Sequence, residues 1–337
     1  MRSRHTLEGL VVDPIEGAFR GAVVVEDGRI AAVERTPDGP PEPLLFPGFL
    51  DLHVYEPDGL VERGVTGYLL ATRRLVELED PLCLGLHLEG PFLNPDAAGA
   101  IPLEEITAVD LAAVDDWAAS GLVRLVTLAP ELPRALEAVE RLASAGIVAG
   151  LGHSRANALT VRAALDAGAR FATHIWNAMA PLRARSTGPV LALLLDERVT
   201  LGLIADGRHL HPDIEELTVR VAGPARIALT SDLVALPAQR PDGSLLGGDR
   251  AGSALVARMA RYGLPEAAAM ASLVPARLLG LADRGRIAPG HRADIAVLAS
   301  DFRPQATLVA GRELPPSGVR AAWTDPYTER RVGRDTT

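Results

Sequence analysis

The segment His87-Leu88-Glu89-Gly90-Pro91-Phe92 follows directly on the apolar run Leu82-Cys83-Leu84-Gly85-Leu86, which delivers a glutamate at the end of a buried-looking strand. An isolated buried carboxylate is costly, and packing gives no reason for one. A metal ion does. Two later apolar runs end in histidine in the same way: Ile147-Val148-Ala149 leads to Gly152-His153-Ser154, and Phe171-Ala172-Thr173 to His174. A fourth, Ile227-Ala228-Leu229-Thr230, leads to Asp232. Taken singly, these residues have ordinary explanations: a hydrogen-bonded structural histidine, a carboxylate paired with arginine, an aspartate capping a helix. Taken together, Glu89, His153 and His174 supply the three ligands of a catalytic zinc with one position left open, and with Asp232 they are the parts of a hydrolytic metal site.

Composition removes several competing chemistries. All 34 basic residues are arginine, which excludes a Schiff-base lysine, a phosphate-loop lysine and a lysine bridging two metals. Cys83 is the single cysteine, so neither an intrachain disulfide nor a cysteine zinc cluster is available, and its apolar surroundings predict an inert buried thiol. A net charge of -9 argues against nucleic acid as a partner, while local arginine can still hold an anionic small molecule. No apolar run approaches the ~20 residues that span a bilayer, and Met1-Arg2-Ser3-Arg4-His5 leads into a strand-like segment without an apolar signal core. The expectation is a cytoplasmic protein with no membrane partner.

The elements that position these residues follow from pattern. The stretch 6–12 is apolar-rich, and Ala22-Val23-Val24-Val25 and Ile30-Ala31-Ala32-Val33 flank Asp27-Gly28 as a hairpin. Strand patterns return near the other end, at Asp294-Ile295-Ala296-Val297-Leu298 and Ala306-Thr307-Leu308-Val309-Ala310. Between them, eight strand candidates starting near Leu44, Thr66, Leu84, Val123, Ile147, Phe171, Val199 and Ile227 alternate with helical stretches such as 103–119, 133–145 and 156–167. Polar residues at the C-terminal ends of strands three to eight predict an α/β fold. That fold is a (β/α)8 TIM-like barrel over 45–285, with a small β-sandwich domain built from both chain ends, 1–44 and 286–337. A doubly wound sheet would concentrate its site at one switch point instead.

The chain resembles the N-acetylglucosamine-6-phosphate deacetylase family of the amidohydrolase superfamily. The matching text is Pro47-Gly48-Phe49-Leu50-Asp51-Leu52-His53, His87 to Phe92, Gly152-His153-Ser154, Thr173-His174-Ile175-Trp176-Asn177-Ala178-Met179, Ile204-Ala205-Asp206-Gly207-Arg208-His209 and Leu229-Thr230-Ser231-Asp232. A tail from Pro275 to Asp294 is general to the superfamily. The resemblance implies hydrolysis of the acetamide of N-acetylglucosamine 6-phosphate, or a close amino-sugar phosphate, to acetate and the free amino-sugar phosphate. It implies one divalent metal ion on Glu89, His153 and His174, with zinc as first choice and iron or manganese as alternatives, and Asp232 as the catalytic acid/base. Asn177 and Ala178 match the sugar-phosphate pocket, Arg185 the phosphate-binding arginine and His209 a substrate-contacting histidine. A homodimer is implied as well.

Three departures stand out. Relatives with a second metal carry His-x-His at the end of strand one, whereas this chain has His53-Val54-Tyr55, which leaves His53 as a vestigial metal position. The family's Gly-Ala-His is Gly99-Ala100-Ile101 here, and isoleucine donates no hydrogen bond to an acetyl carbonyl. Residues 56–65 leave little room for a first helix and lack the family's glycine-rich stretch, so part of the barrel wall or a lid is expected to be missing. Two alternatives therefore stand beside the deacetylase: a related amidohydrolase for a different N-acyl substrate, and a sugar-phosphate-binding barrel without catalysis.

Overall fold

The structure, a computed structural model, describes residues 4–78, 80–239 and 245–315. Residues 316–337, the end of the expected C-terminal β segment, lie outside them. The chain opens with β1 (Arg4–Asp13), β2 (Gly17–Glu26), β3 (Arg29–Arg35) and β4 (Leu44–Pro47). Asp27 and Gly28 join β2 to β3 with φ of 48° and 82°, the left-handed pair that a tight hairpin requires.

Eight parallel strands follow: β5 (Phe49–Val54), β6 (Val65–Thr72), β7 (Cys83–Glu89), β8 (Val123–Leu128), β9 (Val148–Leu151), β10 (Phe171–Ala172), β11 (Thr200–Leu203) and β12 (Ile227–Leu229). They pair in sequence order. Past the strand ends the ring closes through a parallel bridge between Val54 and Leu233 and a hydrogen bond from the Asp232 N–H to the His53 carbonyl. The result is the expected TIM-like barrel. Helices α1 (Leu111–Ser120), α2 (Ala135–Ser144), α3 (Ala158–Asp166), α4 (Gly188–Leu195) and α5 (Pro212–Ala222) alternate with the strands from β7 to β12. A short hairpin, β13 (Ala238–Gln239) with β14 (Leu245–Leu246), precedes α6 (Ser253–Met259), α7 (Leu264–Ala268) and α8 (Val274–Leu278).

β15 (Ile295–Leu298), β16 (Pro304–Val309) and β17 (Arg312–Glu313) then join the first four strands in one seven-stranded sheet, ordered β17-β16-β15-β4-β1-β2-β3. Strand alternation gives this sheet two apolar faces. Val12, Leu44, Phe46, Ala296 and Leu298 belong to the large core shared with the barrel, whereas Val11, Leu45, Ile295 and Val297 enclose a smaller core with Val23, Val25 and Ile30.

The sheet also explains the short first connection. No α-helix lies between β5 and β7 among the described residues; the β5–β6 link is a single 3-10 turn, Val61–Arg63. The sheet stands where helices would: Thr307 Oγ1 donates to the Val61 carbonyl at 2.6 Å, and Gly64, at φ 81°, sits so close that an added Cβ would lie 2.9 Å from that of Ala296. The wall is covered, by β-structure instead of helix.

Two element expectations are corrected. The run at Leu44 forms β4 in the seven-stranded sheet, and the first barrel strand starts at Phe49. The helix expected over 103–119 begins only at Leu111, because the Asp110 carboxylate accepts the Ala112 N–H as its N-cap. Residues Leu103–Glu105 form a separate 3-10 turn beside the cavity described next.

Candidate metal and substrate site

Along β7, Leu86 and Leu88 enter the outer core, and His87 and Glu89 take the opposite face, the barrel interior. Glu89 is buried at its C-terminal end. His153, His174 and Asp232 follow β9, β10 and β12, each just past a strand end and each at positive φ, 48°, 30° and 50°. Such backbone in non-glycine residues costs about 1–3 kcal/mol each and persists only where the surroundings impose it.

The side chains converge on one oxygen. Glu89 Oε1 lies 2.8 Å from His174 Nε2, 2.9 Å from His153 Nε2 and 3.5 Å from His53 Nε2, and His53 Nε2 is 3.3 Å from Asp232 Oδ1. The other oxygen, Oε2, accepts a short hydrogen bond from the Tyr55 hydroxyl. Burial and the Glu89 carboxylate push the Tyr55 phenol well above its usual pKa, so it stays protonated and donates. Burial opposes the charge on Glu89, yet the surrounding histidines outweigh it and hold this carboxyl well below the usual range.

The donor set fits a divalent cation. His153 Nδ1 lies 3.0 Å from the Ala97 carbonyl, which can only accept, so the neutral ring carries its proton there and presents the Nε2 lone pair. That lone pair faces a carboxylate oxygen at 2.9 Å, an arrangement that calls for a cation between them. His174 Nε2 faces the same oxygen, and its Nδ1 is buried without a hydrogen-bond partner. Ligand atoms of His53, Glu89 and His174 also lie within 4.8 Å of one another, so distance alone leaves His53 a candidate too.

A cavity of about 340 Å³ opens over this cluster. Asn177, Ala178 and His209 line it on the side of β10 and β11; Tyr55, Arg73 and Ile101 line it on the side of β5 to β7. The Asn177 amide turns back to donate to the His174 carbonyl at 3.3 Å. Arg185 is not brought to the cavity and sits exposed on the turn 183–186. His209 Nδ1 is 2.8 Å from Asp206 Oδ2, and its buried Nε2, with no protein partner, belongs to a side chain lining the cavity. Burial works against the Asp206 charge, but hydrogen bonds from His209 and from the backbone N–H groups of His209 and Arg208 prevail and bring it down to about 2.

Several residues at the site were not singled out from the sequence. Arg73 lines the cavity and pairs with Glu105 at 2.5 Å. Glu131, just past β8, accepts from Asn94 Nδ2, Ser154 Oγ and the Arg155 N–H, tying the loop after Glu89 to the loop after His153. Asp51 accepts the N–H groups of His53 and Ser231 across the closing seam, and burial pushes its pKa up to about 6. The signal for Glu131 was a strand-end carboxylate like Glu89, but without flanking text to single it out.

The amidohydrolase family profile matches residues 62–314. The chain is 33% identical to the N-acetylgalactosamine-6-phosphate deacetylase of Escherichia coli O157:H7, over 86% of this chain and 93% of that protein. It is 28% identical to the N-acetylglucosamine-6-phosphate deacetylase of Bacillus subtilis, over 89% and 94%. Among solved structures it resembles the N-acetylglucosamine-6-phosphate deacetylase of Thermotoga maritima, with a TM-score of 0.83, 28% identity and coverage of 92% and 99%. A mutant of the Mycobacterium smegmatis enzyme in complex with N-acetyl-D-glucosamine-6-phosphate matches with a TM-score of 0.82, 27% identity and the same coverage. With its barrel, its strand-end Glu and His residues and these relatives, the chain belongs to the amidohydrolase family, in the branch of the amino-sugar-6-phosphate deacetylases.

Proposed function

We propose that this protein hydrolyses the acetamide of N-acetylglucosamine 6-phosphate, or of its galactosamine isomer, to acetate and the free amino-sugar phosphate. The observation that carries the reading is the convergence of His153 and His174 on Glu89 Oε1, with Asp232 at the rim of the same cavity. Glu89, His153 and His174 would hold one divalent ion, zinc by its preference for such ligands, with iron or manganese as alternatives. Such an ion supplies Lewis-acid polarisation of a carbonyl and lowers the pKa of water. Asp232 takes the proton of the attacking water and returns it to the departing amine. Glu89 is kept to one ligating oxygen because Tyr55 occupies the other, which supports a single ion.

Asn177, Ala178 and His209 hold the sugar, and Asp206 fixes the His209 ring so that Nε2 points to the substrate. Arg185 is assigned to the phosphate, although it lies outside the cavity lining, where Arg73 is the arginine among the described residues. A second reading, another N-acyl substrate of the same reaction class, is favoured by Ile101, which lines the cavity and offers no hydrogen bond. The protein is further proposed to be cytoplasmic, since a phosphorylated sugar does not cross a bilayer unaided; no described helix is long and apolar enough to span a membrane. A homodimer without nucleic acid completes the proposal, checked by light scattering.

The decisive assay is acetate release from both N-acetylhexosamine 6-phosphates by metal-loaded protein. Asp232→Asn should lower kcat by about 10²-fold or more with metal still bound; a fully active variant would sink the assignment. Arg185→Ala and Arg73→Ala are compared on phosphorylated and plain sugars. The true phosphate ligand is the one whose loss raises KM for the phosphorylated substrate alone.

A further inference from the structure

The loops that carry the three side chains assigned to the metal meet at a residue that the proposed reaction does not touch. Glu131 stands just past the end of β8, half-buried and outside the cavity lining. Its carboxylate takes three hydrogen bonds. Oε1 accepts from Asn94 Nδ2 at 2.8 Å and from the Arg155 N–H at 2.6 Å, and Oε2 accepts from Ser154 Oγ at 2.7 Å.

Each of these donors leads on to a ligand. Asn94 lies in the loop after Glu89, and its own N–H donates to the His153 carbonyl at 3.1 Å. Its Oδ1 accepts the Asp96 N–H at 2.9 Å and so caps the turn Pro95–Ala97. The Ala97 carbonyl at the end of that turn is the atom that lies 3.0 Å from His153 Nδ1. Ser154 and Arg155 directly follow His153. The Ser154 N–H donates to the Ala178 carbonyl at 3.1 Å, and the Ala180 N–H to the Ser154 carbonyl at 3.0 Å, which fastens the loop after His174 as well. One carboxylate thus joins the loops after β7, β9 and β10 behind their ligands.

These loops need such a tie. His153 and His174 hold φ of 48° and 30°, a conformation that non-glycine residues keep only where their surroundings impose it. A carboxylate suits the place because it accepts only, with room for about four hydrogen bonds, and can gather donors from separate loops without bringing a donor of its own. Groups that fix the orientation of a ligand from behind govern how well an ion is held.

We propose that Glu131 is a positioning residue for the metal site, setting how tightly the ion is held by fixing His153 relative to Glu89 and His174. The inference rests on the reading of Glu89, His153 and His174 as the ligands.

The test measures zinc affinity by competition with a chromogenic chelator in the wild type, Glu131→Ala, Glu131→Gln and His153→Ala, with melting temperatures of the metal-free proteins alongside. Glu131→Ala should bind zinc about 10- to 100-fold more weakly. Glu131→Gln keeps Oε1 with its two hydrogen bonds and sets its NH₂ against a hydroxyl that can also accept, so it should recover most of that loss. A wild-type affinity in Glu131→Ala overturns the proposal even if its melting temperature falls, since a role in folding alone lowers stability without weakening the folded site. An affinity in Glu131→Gln as poor as in Glu131→Ala overturns it too, by assigning the effect to charge and not to the hydrogen bonds. Should Glu131→Ala fail to fold, Ser154→Ala decides: it removes only the bond to Oε2 and should weaken zinc binding by about 3- to 10-fold, and an unchanged affinity refutes the inference. A wild type that holds no zinc, or a His153→Ala variant that holds it equally well, would remove the underlying reading. Loss of zinc in His153→Ala beside full affinity in Glu131→Ala would remove this inference alone.

Discussion

At the scale of single residues, the site is governed by which oxygen or nitrogen each group turns to its neighbour. Asp206 shows it in a form that can be titrated. Its folded pKa, about 2, lies below the ordinary value of 3.8, so the ionised form stabilises the fold at pH above about 4. That contribution is lost as pH falls toward 2. The shift corresponds to about 2 kcal/mol. In urea melts, Asp206→Asn should be less stable than the parent by about that amount at pH 5, with the gap roughly halved at pH 3; a gap independent of pH would contradict the account. Glu89, His153 and His174 were legible from sequence because each ends a strand inside distinctive text. Tyr55 was legible only as an inadequate ligand. Its actual partner lies 34 residues away, and no spacing rule connects a phenol to the far oxygen of a glutamate on another strand. Arg185 is the opposite case: its offset from Asn177 singled it out, but it sits exposed on the turn 183–186, outside the cavity lining.

At the scale of elements, the barrel strands were readable because parallel, doubly covered strands form nearly continuous apolar runs. What failed were boundaries decided by a partner. Leu44-Leu45-Phe46 is as apolar as a barrel strand, and only its pairing with β1 and β15 assigns it to the other sheet. Asp110 looked like any helix-surface acid until its carboxylate capped α1. Gly64 offers a test of the sheet-covered wall. Its φ of 81° and the close approach of Phe49 and Ala296 leave no room for a methyl group. Gly64→Ala should destabilise the protein by about 2 kcal/mol or more. Because Gly64 precedes β6, at the end of the barrel away from the site, kcat of the folded fraction should not change. Thermal melts and steady-state kinetics on the same preparation check both halves, and an unaltered melting temperature would count against the packing described.

At the scale of the whole molecule, a metal held as proposed by Glu89 at the end of β7 and by His153 and His174 past the ends of β9 and β10 would tie distant stretches of the chain together, and anything that binds only the folded state stabilises it. Removing metal with a chelator should lower the melting temperature, and restoring it at a hundredfold excess over Kd should return about 2.7 kcal/mol. A melting temperature indifferent to metal would remove the site from the energetics of folding. The seven-stranded sheet has a different consequence, one in time. β15 is the strand that joins β16 to β4, and the ribosome makes it last but two among the described strands. Until Ile295 to Val309 has emerged, β4 has one edge bare and β6 lacks its outer cover, though every barrel strand has already been made. A nascent chain in that state displays an open strand edge beside exposed apolar side chains, the combination most prone to aberrant pairing. One exposed state thus comes late in synthesis, with every barrel strand already made and the wall beside β6 still unfinished.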